Sequence, residues 1–357
     1  MNSIRTRTSA SIKALVSSYR SGTLSRNIFI ISLILFICYS YAYFLDSENL
    51  PPNTDFDITS YAALPLHVIL HEEVKDLQKL YYRNIKSNRN SSYPLITGDT
   101  FRAIADHVFD ELRQDKFESM HYGDVVFVKG DMFFRFFHGP FKNIDTPFVL
   151  VSHNTDSPAP GEHRLRLNDK RILAWYATNP SITFPKLYPV PIGFPNTHWS
   201  RGNSSLLLHA AEKYRRPWHN RSTLLYVNFS PFTNRYERPN ALGRAKIFKN
   251  VQIIKDRISF ETYLEHLGNA KFVLSPPGNG YDCHRTWEAL LMGAAPVVIR
   301  SGADSLFKQL PAVVLDRWEN LTERYLSSLN FRSYDNLTPT VLFARYWRQK
   351  LRKHRFH

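Results

Sequence analysis

Cysteine is nearly absent: Cys38 and Cys283 are the only two among 357 residues. Two thiols exclude both a disulfide framework and a four-cysteine zinc site, so the fold must be held by an apolar core. Internal repeats and low-complexity tracts are missing too, which excludes solenoids and biased linkers. The only Asp-x-Asp, Asp55 to Asp57, lies far from the α/β-patterned body, so no metal is expected in the chemistry and no cofactor is implied.

What is present is a globular composition, 43% hydrophobic and 14% aromatic, long enough for one large domain or two moderate ones. A formal charge of +15 would by itself suggest nucleic acid, an acidic membrane surface or an acidic polymer as partner. Its distribution weakens that reading. Arg5, Arg7, Lys13, Arg20 and Arg26 lie in the first 26 residues, and Arg345, Arg348, Lys350, Arg352, Lys353 and Arg355 in the last 13, with no acid in either segment. The body between them keeps 35 bases against 31 acids.

Residues 27–45, NIFIISLILFICYSYAYFL, form one uncharged run of 19, just long enough to cross a hydrocarbon core as a helix. Bases precede it and acids follow it, so the positive-inside rule predicts a cytosolic tail (1–26), an uncleaved signal-anchor (27–45) and a lumenal remainder. That topology keeps the folded part away from nucleic acid. Sequons at Asn90, Asn203, Asn220, Asn320 and Asn336 are expected to carry glycans, while Asn228 sits in an apolar run that reads as a buried strand.

Residues 46–92 read as a stem, with a helical spacing in HEEVKDLQKLYYRNI. Beyond it, apolar strand-like runs alternate with helical segments: TFRAIADHVFDELRQD, DVVFVK, TPFVLVSHNTD and RILAWYATN, then LLYVNFS, VQIIKD, FETYLEHLGNA, KFVLS and APVVI. The pattern predicts an α/β fold of two Rossmann-like domains facing a cleft, 93–215 and 216–330, followed by a basic helix or tail, 331–357, that meets an anionic acceptor or membrane.

The stretch 271–299, KFVLSPPGNGYDCHRTWEALLMGAAPVVI, carries the most chemistry. A strand, a glycine loop and a helix N-terminus in succession suit a diphosphate. Gly278, Asn279 and Gly280 form the loop; Arg285 offers donors to phosphate; Glu288, repelled by phosphate, is assigned to ribose hydroxyls. The alternative for Arg285 and Glu288 is a mutual ion pair. Asp282 reads as the helix N-cap, Cys283 as a packed thiol, Trp287 as core, and Gly293 as the helix stop.

At these residues the sequence resembles the exostosin-like glycosyltransferases, and more weakly so at FVLVSHNTDSPAP, LYPVPIGFPNTHW and VNFSPFTNRYER. The resemblance implies a GT-B architecture, a nucleotide-sugar donor (a UDP-sugar) in the C-terminal half, a glycan or glycoprotein acceptor, and a type II Golgi membrane protein. Within VSHNTDSPAP, His153 and Asp156 are the candidate bases and Asn154 an acceptor-side residue, against an Asx turn as the alternative. In TNRYER, Arg235 and Arg238 are candidates to neutralise the diphosphate, and Asn234 to cap the next helix and join the donor site. Two other readings stay open: a fucosyltransferase-like enzyme using GDP-fucose, and a non-catalytic lumenal subunit that binds a glycan or supports a partner in a homo- or hetero-oligomer.

Overall fold

The computed structural model describes residues 57–74 and 89–355. The expected cytosolic tail and anchor, and residues 46–56 and 75–88 of the expected stem, lie outside them; among the described residues no helix is long and apolar enough to cross a membrane. The elements are β1 (Ala63–Leu64), α1 (Gly98–Ile104), β2 (His107–Phe109), β3 (Asp124–Lys129), α2 (Phe133–His138), β4 (Phe148–His153), β5 (Ile172–Ala177), β6 (Leu187–Pro189) and α3 (Ser204–Tyr214). They continue with β7 (Thr223–Val227), α4 (Glu237–Ala245), β8 (Val251–Ile253), α5 (Phe260–Asn269), β9 (Ala270–Leu274), α6 (His284–Leu291) and β10 (Ala295–Ile299). Last come β11 (Val313–Leu315), α7 (Glu323–Ser328), β12 (Thr338–Pro339) and α8 (Ala344–Arg352).

The chain is mixed α/β with two five-stranded parallel sheets. The first runs β2-β3-β4-β5-β6, in simple chain order. Its strands are continuous apolar runs because both faces are covered. Val125, Phe127, Val149, Val151 and Tyr176 face a core shared with Phe101 of α1 and Trp347 of α8. Val126, Val128, Leu150 and Trp175 face a phenylalanine cluster of Phe133, Phe136, Phe137 and Phe141. The second sheet runs β11-β10-β9-β7-β8. Its first strand, β7, lies between its second and its third, so the winding direction reverses between β7 and β9. In doubly wound sheets the crevice beyond the carboxyl ends of such a strand pair is where ligands bind.

Three expectations are corrected. The helix expected over TFRAIADHVFDELRQD ends at Ile104, because Ala105 is extended and HVF pairs with β3 as an edge strand, with the Asp106 side chain accepting from the Val125 N–H at 3.0 Å. Sheet pairing overrides the local helical spacing. Residues 57–74 are part of the folded body and not a free stem: Ile58, Ile69 and Leu70 are buried, β1 pairs with β12, and Asp57 accepts from Lys353. The basic C-terminus is likewise no free tail. Helix α8 returns to the first sheet, burying Trp347 and Leu351, and the cations of α8 and of the turn after it meet internal acids: Arg345 to Glu72 at 3.4 Å, Arg352 to Asp106 at 3.6 Å, Arg355 to Asp124 at 2.8 Å.

Candidate active site

Two loops meet at the reversal point of the second sheet, 228–236 after β7 and 275–283 after β9. Arg238, in the first turn of α4, is 6% exposed; its Nε donates to the Pro277 carbonyl at 2.9 Å and its Nη1 to the Ser230 carbonyl at 2.9 Å. Arg285, in the first turn of α6, donates to the Asn228 carbonyl at 3.0 Å and to Ser275 Oγ at 3.3 Å. Both guanidiniums lie over the Phe229 ring, at 5.7 and 5.2 Å from its centroid. Among the described residues neither has a carboxylate within ion-pair distance, and burial together with the Arg285 charge pulls Arg238 below its ordinary pKa. Two cations sharing one aromatic ring, steadied by backbone carbonyls, the Ser275 hydroxyl and, for Arg238, the Cys283 sulfur at 3.9 Å, form an electropositive seat.

The loop residues around them have structural tasks. Asn234 Oδ1 accepts from the Glu237 N–H at 3.0 Å at the start of α4, although Tyr236 and not Asn234 holds the N-cap position, while its Nδ2 donates to the Gly278 carbonyl at 3.1 Å and ties the loops together. With Oδ1 and one Nδ2–H engaged in this way, Asn234 positions the site. Gly278 is small because Arg238 lies against it: a Cβ there would meet Nη2 at 3.0 Å. The expected phosphate approach at Gly280 is corrected, since a Cβ there would meet Asn179 Nδ2 at 2.6 Å, so Gly280 admits a side chain from the first half. Arg235 is exposed beside the seat.

Glu288 is neither paired with Arg285 nor placed for ribose. It is 3% exposed and its Oε2 accepts from Tyr263 Oη at 2.7 Å, leaving too little open surface to serve two ribose hydroxyls. Burial, and then the Glu288 charge, holds the Tyr263 phenol well above its ordinary pKa. Asp282 does not cap α6 in the expected way. Its Oδ2 accepts from the Ile192 N–H and from Trp287 Nε1, each at 2.7 Å, and burial pushes it up to about 6 despite these donors. Trp287 is core, and Gly293, at φ +71°, stops α6 as the sequence predicts.

At the carboxyl end of the first sheet, His153 cannot be the base. It is fully buried, its Nε2 faces the Pro191 carbonyl at 3.0 Å, and its Nδ1 faces the Asn154 N–H at 2.7 Å. Those partners assign the neutral Nε2–H tautomer, and burial pulls its pKa down to about 4. Asn154 is left-handed at φ +56° and donates to Asp99 at 3.0 Å; the turn toward Pro158 is made instead by Thr155 Oγ1, which accepts from the Ser157 N–H. Asp156 is exposed and accepts from Asn279 Nδ2 at 3.2 Å across the two loops. Asn179 Oδ1 adds a second bridge, accepting from the Tyr281 N–H at 2.9 Å.

The residues missed at the sequence level are Asn179 and Asp99. Asp99 is 1% exposed and is joined by Asn154, Asn196 and Arg89. A polar residue straight after a helix-opening Thr97-Gly98 was the available signal, but its partners come from distant segments. Asn90, Asn203, Asn220, Asn320 and Asn336 are all exposed, and Asn228 is half-buried at the seat. A cavity of about 680 Å³ lies elsewhere, lined by Phe134, His163, Leu165 and Arg166 of the first half's outer face. No family model matches the chain, and no curated protein matches it.

Proposed function

We propose that the chain is an exostosin-like glycosyltransferase of GT-B architecture, moving a sugar from a nucleoside-diphosphate donor, a UDP-sugar first, to a hydroxyl of a glycan or glycoprotein. The observation that carries this reading is the pair of carbonyl-held guanidiniums, Arg238 and Arg285, at the reversal point of the second sheet. A buried cation without a carboxylate is unfavourable, and an anion between the two relieves it. The N-terminus of α6 adds its positive dipole end beside Arg285. As the sugar leaves, charge grows on the diphosphate, and fixed cations already in place stabilise it without reorganisation.

Arg235 is assigned to the outer edge of the diphosphate, and Asn279 with Asp156 to the mouth between donor and acceptor. The apolar run 27–45 and the exposed sequons support a type II Golgi membrane protein. The test uses the purified full-length protein with UDP and GDP in thermal shift. Binding to one of them raises the unfolding temperature, and Arg238→Ala abolishes the rise. A screen of UDP- and GDP-sugars for turnover then names the donor; a GDP response would favour the fucosyltransferase-like alternative. No response to either nucleotide overturns the reading.

A further inference from the structure

One buried acid is left incomplete. Asp99 Oδ1 is occupied by Asn154 and Arg89, whereas among the described residues Oδ2 has no hydrogen-bond partner, although Asp99 is 1% exposed. Facing that oxygen at 3.6 Å is Nδ1 of His198, a ring 54% exposed. A buried carboxylate behind an exposed imidazole favours the tautomer with Nδ1–H inward, which turns the Nε2 lone pair outward. Next to it Trp199 is 61% exposed, its ring centroid 6.0 Å from that of His198.

The segment carrying these residues runs between the two halves. Gly193 accepts from His284 at the start of α6, Asn196 accepts from the Asp99 N–H, and the Arg201 guanidinium lies 5.6 Å from the Tyr263 ring centroid. Tyr263 in turn is bonded to Glu288, one turn beyond Arg285.

We propose that His198, oriented by Asp99, is the general base for the acceptor, and that Trp199 is the platform for the acceptor sugar, whose C–H-rich face is apolar and covers such a ring. This rests on the transferase reading above. The acceptor oxygen forms its bond to the anomeric carbon as the bond from that carbon to the diphosphate oxygen breaks. The electron pair of the broken bond stays on the diphosphate, and the acceptor proton moves to His198 Nε2. The resulting imidazolium is paired with Asp99 until it releases the proton to solvent. A single displacement of this kind inverts the anomeric centre.

With the donor identified by the UDP- and GDP-sugar screen, His198→Gln in the full-length protein is expected to lower kcat by about 10²- to 10⁴-fold. Its unfolding temperature and its shift with the nucleoside diphosphate should stay as in the wild type. Asp99→Asn is expected to lower kcat with the donor KM unchanged, as a positioning residue should, and Trp199→Ala to raise the acceptor KM with kcat unchanged. A folded His198→Gln protein that keeps more than a third of kcat overturns the base, and the more so if Asp156→Asn is the variant that loses it. A wild-type protein that responds to neither UDP nor GDP overturns the transferase reading beneath it instead.

Discussion

The carboxyl ends of the two sheets are built from opposite materials. Beyond β4, His153 and Asn154 direct their polar atoms at backbone and neighbouring side chains, so His153 is closed and neutral. Beyond β7 and β9, Arg238 and Arg285 are held by carbonyls and a hydroxyl, with no carboxylate at ion-pair distance among the described residues. The same position in two parallel sheets thus supplies a rigid support in one half and an electropositive seat in the other. Strand ends locate a crevice; the ionic state of the side chains there decides what the crevice does.

The largest way to break this contrast is Arg238→Ala, which under the proposed transferase function should lower kcat/KM by about 10²- to 10³-fold, since it would delete a fixed charge at the leaving group. Arg238→Lys should restore only part, because a lysine lacks the fork that reaches two carbonyls and a ligand together. Steady-state kinetics with the identified donor measures both.

Next is acid stability, where two groups on one peptide unit pull in opposite directions. His153 donates to the carbonyl of Pro191, and Asp282 accepts from the N–H of Ile192 on the same peptide group. His153 falls from 6.5 to about 4 in the fold, so the unfolded chain takes up its proton first and stability drops as pH falls between those values. The full window corresponds to about 3 kcal/mol. Asp282 rises from 3.8 to about 6, so the fold takes up its proton first and stability grows as pH falls through that range. Urea unfolding should therefore show a steeper acid loss in Asp282→Asn and a shallower or reversed one in His153→Gln. Parallel slopes in the wild type and both variants would refute the pairing.

Gly280→Ala should destabilise by about 1–3 kcal/mol in the same assay, because the new methyl enters the space of Asn179 and disturbs the bridge to the Tyr281 N–H. Smallest is Asn234→Ala, expected to cost about 1 kcal/mol through loss of the α4 opening bond. It should also weaken nucleotide binding modestly by freeing the Gly278 loop from its tie.

Much of the second half was legible in the sequence because its signals are local. KFVLS and APVVI are apolar on both faces, so they read as buried parallel strands, and Gly293 must follow α6 because only a left-handed residue turns the chain there. Arg238 and Arg285 were legible as charges at the starts of helices. What escaped was set by distant partners. His153 has the chemistry of a base, but Pro191, 38 residues away, engages one of its ring nitrogens. Gly280 looks like a phosphate glycine, but Asn179 decides its role. Residues 57–74 and the cations of the C-terminal segment read as a stem and a tail until each proves to be the other's partner, through Glu72 with Arg345 and Asp57 with Lys353.

The return of α8 to the first sheet also orders the birth of the molecule. Phe343, Trp347 and Leu351 belong to the same core as Val125 and Val151, yet they leave the ribosome only after all of the second sheet has been made. The half that is translated first is therefore the half that is completed last. Until then its exposed strand faces invite wrong contacts, as unfinished cores do.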